Sequence, residues 1–181
     1  MQQYIALLRG INVSGQNKIK MADLVEYCQS IGFEDVSTYI QSGNICFKSS
    51  INDKKHLTLL LQNKLMQQYG FEVPVLMVNK AELASTFNKR PFVDIDIASE
   101  GNKVLISFLN RLPEPQNVSH LLSYVQTPDQ LIADQQVIYL HCPNGYGKSK
   151  LSNNFIENKL NVIATTRNLK TIEKLIHLSK E

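Results

Sequence analysis

Val36-Ser37-Thr38-Tyr39-Ile40-Gln41, then Ser42-Gly43, then Asn44-Ile45-Cys46-Phe47-Lys48 read as two strands joined through a hairpin turn. What flanks this hairpin decides the fold. Upstream, residues 4–8 are a continuous apolar run ending at Arg9-Gly10, short enough for a strand buried on both faces. A polar, glycine-bearing loop runs from Gly10 to Lys20. Met21, Leu24, Val25, Cys28 and Ile31 then recur at helical spacing, with Gly32 placed to end the helix. Downstream, Asp53 is placed to cap a second helix that carries Leu57, Leu60, Leu61, Lys64 and Leu65 along one side and closes at Gly70. Residues 71–78 read as a further strand. The order β-α-β-β-α-β is that of the ferredoxin-like unit.

The second half repeats this order. Residues 104–109 are a second buried-type strand, 119–125 a short helix, and 131–134 with 137–141 a hairpin. A helix over about 150–160, a short strand over 162–164 and a terminal helix with Leu169, Ile172, Leu175 and Ile176 on one face complete it. The expected fold is α+β, with tandem duplicated ferredoxin-like units and mixed or antiparallel sheets. The first unit spans 1–88, a connector 89–102, and the second unit with its C-terminal helix 103–181. Within the connector, Asp94 and Asp96 alternate with Val93, Ile95 and Ile97, as in an edge strand with its acids outward, with a metal-binding pair the lesser alternative. In each unit the first and third strands are expected to run parallel, so that the loops after them open at one end and Arg111 lies near Lys148.

Neither first strand alternates apolar with polar residues, as a sheet with one open face would require. Both sheets are therefore expected to be covered on both faces. That weighs against the exposed sheet of an RNA-recognition motif, whose aromatic signature is also missing from residues 44–48.

Composition narrows the function classes. The 181 residues are 43% hydrophobic and 19% charged, enough apolar material for a core and unlike a disordered chain. Nineteen Lys and Arg against 16 Asp and Glu leave +3, which excludes a polybasic chain but hides a pattern. Residues 1–90 and 145–181 are basic, and residues 91–144 carry six acids against two cations. Three cysteines stand singly, so neither a disulfide scaffold nor a zinc module is expected, and no metal or cofactor. No signal peptide and no membrane span are legible, and the expected location is the cytoplasm.

Three segments could carry chemistry. Arg9-Gly10-Ile11-Asn12-Val13-Ser14-Gly15-Gln16-Asn17-Lys18-Ile19-Lys20 places glycines and three cations ahead of a helix, an arrangement that can cradle an anion or simply remain a solvated loop. Cys142-Pro143-Asn144-Gly145-Tyr146-Gly147-Lys148-Ser149-Lys150 ends like a P-loop, but Cys142 stands where the opening glycine belongs and no Walker B-type Asp follows. A nucleoside triphosphatase is therefore disfavoured. A phosphate contact by Lys148, Ser149 and Lys150 at a helix start competes with a plain turn and cap. Thr165-Thr166-Arg167-Asn168 precedes the last helix, where Thr166 or Asn168 would cap and Arg167 could fork onto a phosphate or carboxylate or equally pair with the acidic middle of the chain. The four histidines are scattered, and no nucleophile–base–acid set is legible.

These segments carry a resemblance. Arg9-Gly10-Ile11-Asn12-Val13-Ser14-Gly15 with Lys18-Ile19-Lys20-Met21, Thr38-Tyr39-Ile40-Gln41-Ser42-Gly43-Asn44 and Thr166-Arg167-Asn168 together resemble domain-of-unknown-function family 1697, small and mainly bacterial proteins. Ser14 stands where the family usually has Gly, and Leu169 where Trp commonly follows. The resemblance implies a duplicated ferredoxin-like fold and no particular activity.

The leading expectation is a binding protein for an anionic, phosphorylated ligand, a nucleotide or nucleic-acid backbone. The residues expected to hold it are Arg9, Asn12, Lys18 and Lys20, then Lys148, Ser149 and Lys150, then Arg167 and Asn168. One alternative is an enzyme on a small phosphorylated or nucleotide-like substrate that uses Lys148 or Tyr146. The other is an interaction module whose motifs are structural turns. Catalytic residues, oligomeric state and any membrane partner find no support in the residues.

Overall fold

The computed structural model describes residues 1–179; Lys180 and Glu181, the end of the expected second unit, lie outside them. Among the described residues the chain is α+β with two four-stranded antiparallel sheets and seven helices, divided between two compact units. The first comprises Met1–Ala84 with the end of the last helix from Leu175, the second Ser85–Lys174.

The first unit runs β1 (Gln2–Leu8), α1 (Met21–Ser30), β2 (Glu34–Tyr39), β3 (Asn44–Ser49), α2 (Lys54–Tyr69), β4 (Val75–Asn79) and the start of α3 (Lys80–Asn88). Its sheet order is β2-β3-β1-β4. The second runs through α4 (Ile97–Glu100), β5 (Val104–Leu109), α5 (Pro115–Leu122), β6 (Gln130–Asp134), β7 (Val137–His141), α6 (Asn153–Leu160) and β8 (Ala164–Asn168) into α7 (Leu169–Leu178). Its sheet order, β6-β7-β5-β8, is the same order with each strand number advanced by four.

Local chemistry sets many of these boundaries. The Asp53 carboxylate accepts from the amides of Lys55 (2.8 Å) and His56 (3.3 Å), and Gly70 at φ 74° ends α2 with its N–H on the Met66 carbonyl. Between those caps Leu57, Leu61 and Leu65 form one fully buried stripe. In the first unit Tyr4, Ala6 and Leu8 of β1 join that core with Leu24, Cys28, Ile45 and Phe47, and Phe33 stacks on Phe47 at 4.0 Å between ring centroids. Ile5 and Leu7, on the other face of β1, are also fully buried, and every residue of β5 is buried. The missing alternation thus corresponds to strands shielded on both faces.

Four expectations are corrected. First, β1 pairs antiparallel with β3, and β5 with β7. The end of β7 lies beside the start of β5 (Val104 opposite His141), so the loops after β5 and β7 leave opposite ends of the sheet, and Arg111 bonds the Asn161 carbonyl instead of approaching Lys148. Second, the last strand is not 162–164 but β8, so the polar Thr165-Thr166-Arg167-Asn168 is a strand rather than a loop before a helix. Third, residues 93–97 form no strand; Asp96 caps α4, accepting from the Ala98 and Ser99 amides and, at 2.6 Å, the Ser99 hydroxyl. The Ser99 hydroxyl bond, followed by the two amides, holds the Asp96 carboxyl below its usual range. Fourth, α6 begins at Asn153 with Ser152 as its cap, not near residue 150, and α5 begins at Pro115, whose missing N–H suits a first helical position.

Candidate functional site

The first motif folds into a loop that is fastened mainly to itself. Asn12 takes φ 54°, its side-chain oxygen accepts from the Ile19 amide (2.9 Å), and its Nδ2 donates to the Ile19 and Gln41 carbonyls (2.9 Å each). Asn17 Nδ2 reaches the Gly10 carbonyl at 3.1 Å, and Gln16 turns back on Val13. The second motif closes against this loop: the Leu8 amide donates to the Gly43 carbonyl (2.8 Å), and Ile11 packs over Gly43. Asn12 is therefore committed to shaping the loop. Arg9 is half-buried, and Lys18 and Lys20 are exposed at the loop's end, where Lys20 precedes α1 without a side-chain cap.

The third motif lies on and after β8. Arg167 is only 8% exposed, with Nη1 donating to Thr165 Oγ1 (2.8 Å) and the Thr166 carbonyl (3.0 Å). Asn168 accepts from the Thr171 amide at 2.9 Å, which caps α7.

The remaining three candidates meet in a cleft. Antiparallel pairing of β6 with β7 sets Gln130 opposite His141, so the chain entering β6 and the chain leaving β7 lie side by side. Two walls result, Tyr124, Gln126, Thr127, Pro128 and Asp129 on one side, and Asn144, Gly145 and Lys148 to Leu151 on the other, enclosing about 370 Å³. That is at the small end of the roughly 300–1,000 Å³ typical of ligand clefts. Ser149 joins the walls by donating to Asp129 Oδ2 at 2.6 Å while accepting from the Leu151 amide at 3.0 Å. Its hydroxyl thereby shapes the cleft and fixes the one carboxylate among the lining residues.

Lys148 closes a short 3-10 turn (Tyr146–Lys148) and Lys150 follows after the extended Ser149, so both precede α6 by a few residues rather than starting it. Both side chains are exposed, and neither is ion-paired among the described residues. The cleft thus holds two ammonium groups against one carboxylate already hydrogen-bonded. Tyr146 packs against the second unit's core and does not line the cleft. The cysteines belong to the cores as well: burial pushes the Cys28 thiol up to about 12 and Cys46 up to about 11, and raises Cys142. Thiols held neutral in this way are packing groups, not nucleophiles.

Sequence reading missed the wall from Tyr124 to Asp129. Its sequence signal is the Thr127-Pro128-Asp129 turn chemistry just ahead of a strand whose hairpin partner ends at the lysine loop.

The family model described as a protein of unknown function (DUF1697) matches residues 1–139. No curated protein matches the chain. Among solved structures, a conserved bacterial protein from Streptococcus pneumoniae is similar over 100% of this chain and 99% of its own, with 26% identity and a TM-score of 0.79. Among the described residues, no helix is long and apolar enough to cross a membrane.

Proposed function

The chain belongs to the DUF1697 family, a membership that brings no activity with it, and we propose that it is a binding protein for a small phosphorylated anion held in the cleft of the second unit. The observation that carries this reading is the pair of exposed ammonium groups of Lys148 and Lys150, without an ion-pair partner among the described residues, on one wall of a ligand-sized cleft. Lysines act there as point charges on phosphate oxygens, and the neighbouring Asn144 side chain and Gly145 backbone supply polar groups. A nucleic-acid backbone is the second reading, favoured by Lys18 and Lys20, which stand exposed on the first unit's loop. We read each unit as ferredoxin-like and the pair as a duplication, supported by the repeated element order and the matching sheet orders. A cytoplasmic location is supported by three buried free thiols.

The test is equilibrium binding of AMP and of a short single-stranded oligonucleotide, each at low and moderate salt. The small-anion reading expects AMP to bind with a shallow salt dependence, because few charges are neutralised. A steep dependence for the oligonucleotide, lost with Lys18→Ala and Lys20→Ala, would replace it with the backbone reading. Binding of neither would reject both.

A further inference from the structure

The cleft's other wall says more about the ligand than the lysines do. Tyr124 lines it, is 36% exposed, and is held in place by three neighbours from the helices behind it. Lys159 Nζ lies 4.2 Å from its ring centroid and donates to its hydroxyl at 3.1 Å; Phe155 meets the ring edge-on at 5.3 Å, and His120 at 5.1 Å, with Nε2 3.2 Å from the hydroxyl. An exposed aromatic ring fixed on several sides loses little freedom when another ring stacks on it. Close by, Asp129 Oδ2 is occupied by Ser149, whereas Oδ1 has no hydrogen-bond partner among the described residues and is an acceptor fit for a hydroxyl. Ring, carboxylate and ammonium groups thus border one small cleft, with the ring and carboxylate on one wall and the cations on the other.

We propose that the cleft takes a single ribonucleoside phosphate, its base stacked on Tyr124, the ribose 2′-hydroxyl donating to Asp129, and its phosphate at Lys148 and Lys150. This rests on the phosphate-binding reading of the same cleft and narrows it. The small volume suits one nucleotide rather than a dinucleotide. Stacking on an aromatic side chain is tolerant of base identity, so one nucleotide is a fair probe.

Calorimetric titration of the full chain with AMP, 2′-deoxy-AMP, ribose 5-phosphate and inorganic phosphate separates the parts. AMP is expected to bind roughly tenfold or more tighter than ribose 5-phosphate, the usual scale of one base–aromatic stack. Tyr124→Leu is expected to abolish that advantage while leaving ribose 5-phosphate binding unchanged. Tyr124→Phe, which keeps the ring and loses only the hydroxyl bonds, is expected to retain it. Weaker binding of 2′-deoxy-AMP than of AMP supports the hydroxyl contact, and equal binding overturns it. Equal affinity for AMP and ribose 5-phosphate, or loss of the AMP advantage in Tyr124→Phe, overturns the stacking assignment while leaving the phosphate reading intact. No binding of any probe overturns both.

Discussion

Gly43→Ala is expected to destabilise the chain by about 2–5 kcal/mol, combining a left-handed backbone cost of about 1–2 kcal/mol with overpacking of about 1–3 kcal/mol. Gly43 sits at φ +78°, and an added Cβ would lie 2.6 Å from Ile11 Cδ1 and 2.8 Å from Leu8 Cβ. The Ile11 tip can swing away. Leu8 Cβ cannot, because it belongs to the backbone frame of a central strand whose next amide partner is the Gly43 carbonyl itself. Gly15→Ala is the matched control: its φ is +77°, but nothing lies within 4 Å of the added carbon. It should cost only about 1–2 kcal/mol. Urea unfolding of both variants, followed by circular dichroism, gives the comparison. Equal losses would mean that Ile11 and Leu8 yield freely, and that the first loop is not locked on the hairpin turn.

Lys148→Ala combined with Lys150→Ala is expected to weaken AMP binding by roughly 2–5 kcal/mol, since hydrogen bonds to charged groups contribute about 1.5–3 kcal/mol each and are not fully additive. Both side chains are exposed and have no ion-pair partner among the described residues, so the folded chain should lose little stability, and the thermal midpoint without ligand should stay near that of wild type. Charge-preserving Lys148→Arg with Lys150→Arg is expected to recover most of the affinity. If the alanine pair binds AMP as well as wild type, the phosphate does not sit at these lysines.

Elements bounded by their own side chains were legible in the sequence. β5 was read with its observed limits, and α2 could be placed because Asp53 and Gly70 announce its ends. The helix α3 was overlooked although its start is written locally. The Glu82 amide donates to Asn79 Oδ1 (2.8 Å) and the Asn79 amide to Glu82 Oε2 (2.9 Å), a reciprocal cap at the spacing N-x-x-E. The strand β8 was misplaced for a different reason. Thr166 looks like a cap in sequence, but its hydroxyl is 2.7 Å from Ser107 Oγ, 59 residues away, and 2.7 Å from Asn153 Oδ1. Long-range partners fit this polar segment to an edge strand paired with β5, and local reading does not see them.

The candidate site was half legible for the same reason. Lys148, Ser149 and Lys150 stood out by composition, whereas Tyr124 and Asp129 reach them only through the register of β6 on β7. The parallel pairing assumed from sequence would have joined the lysine loop to Arg111 instead. Antiparallel pairing moves Arg111 to the other end of the sheet and puts an aromatic wall in its place. Asn12 and Asn168, chosen for their polar side chains, turned out to fasten a loop and cap a helix, the ordinary work of asparagine where the backbone turns.

The measurement that bears most directly on the proposed function is an amide chemical-shift map of the full chain titrated with AMP. Saturable shifts are expected to concentrate in residues 124–129 and 144–151, the two walls of the cleft. Saturable shifts confined to the loop of residues 9–20, or no saturable shifts anywhere, would contradict the proposed function.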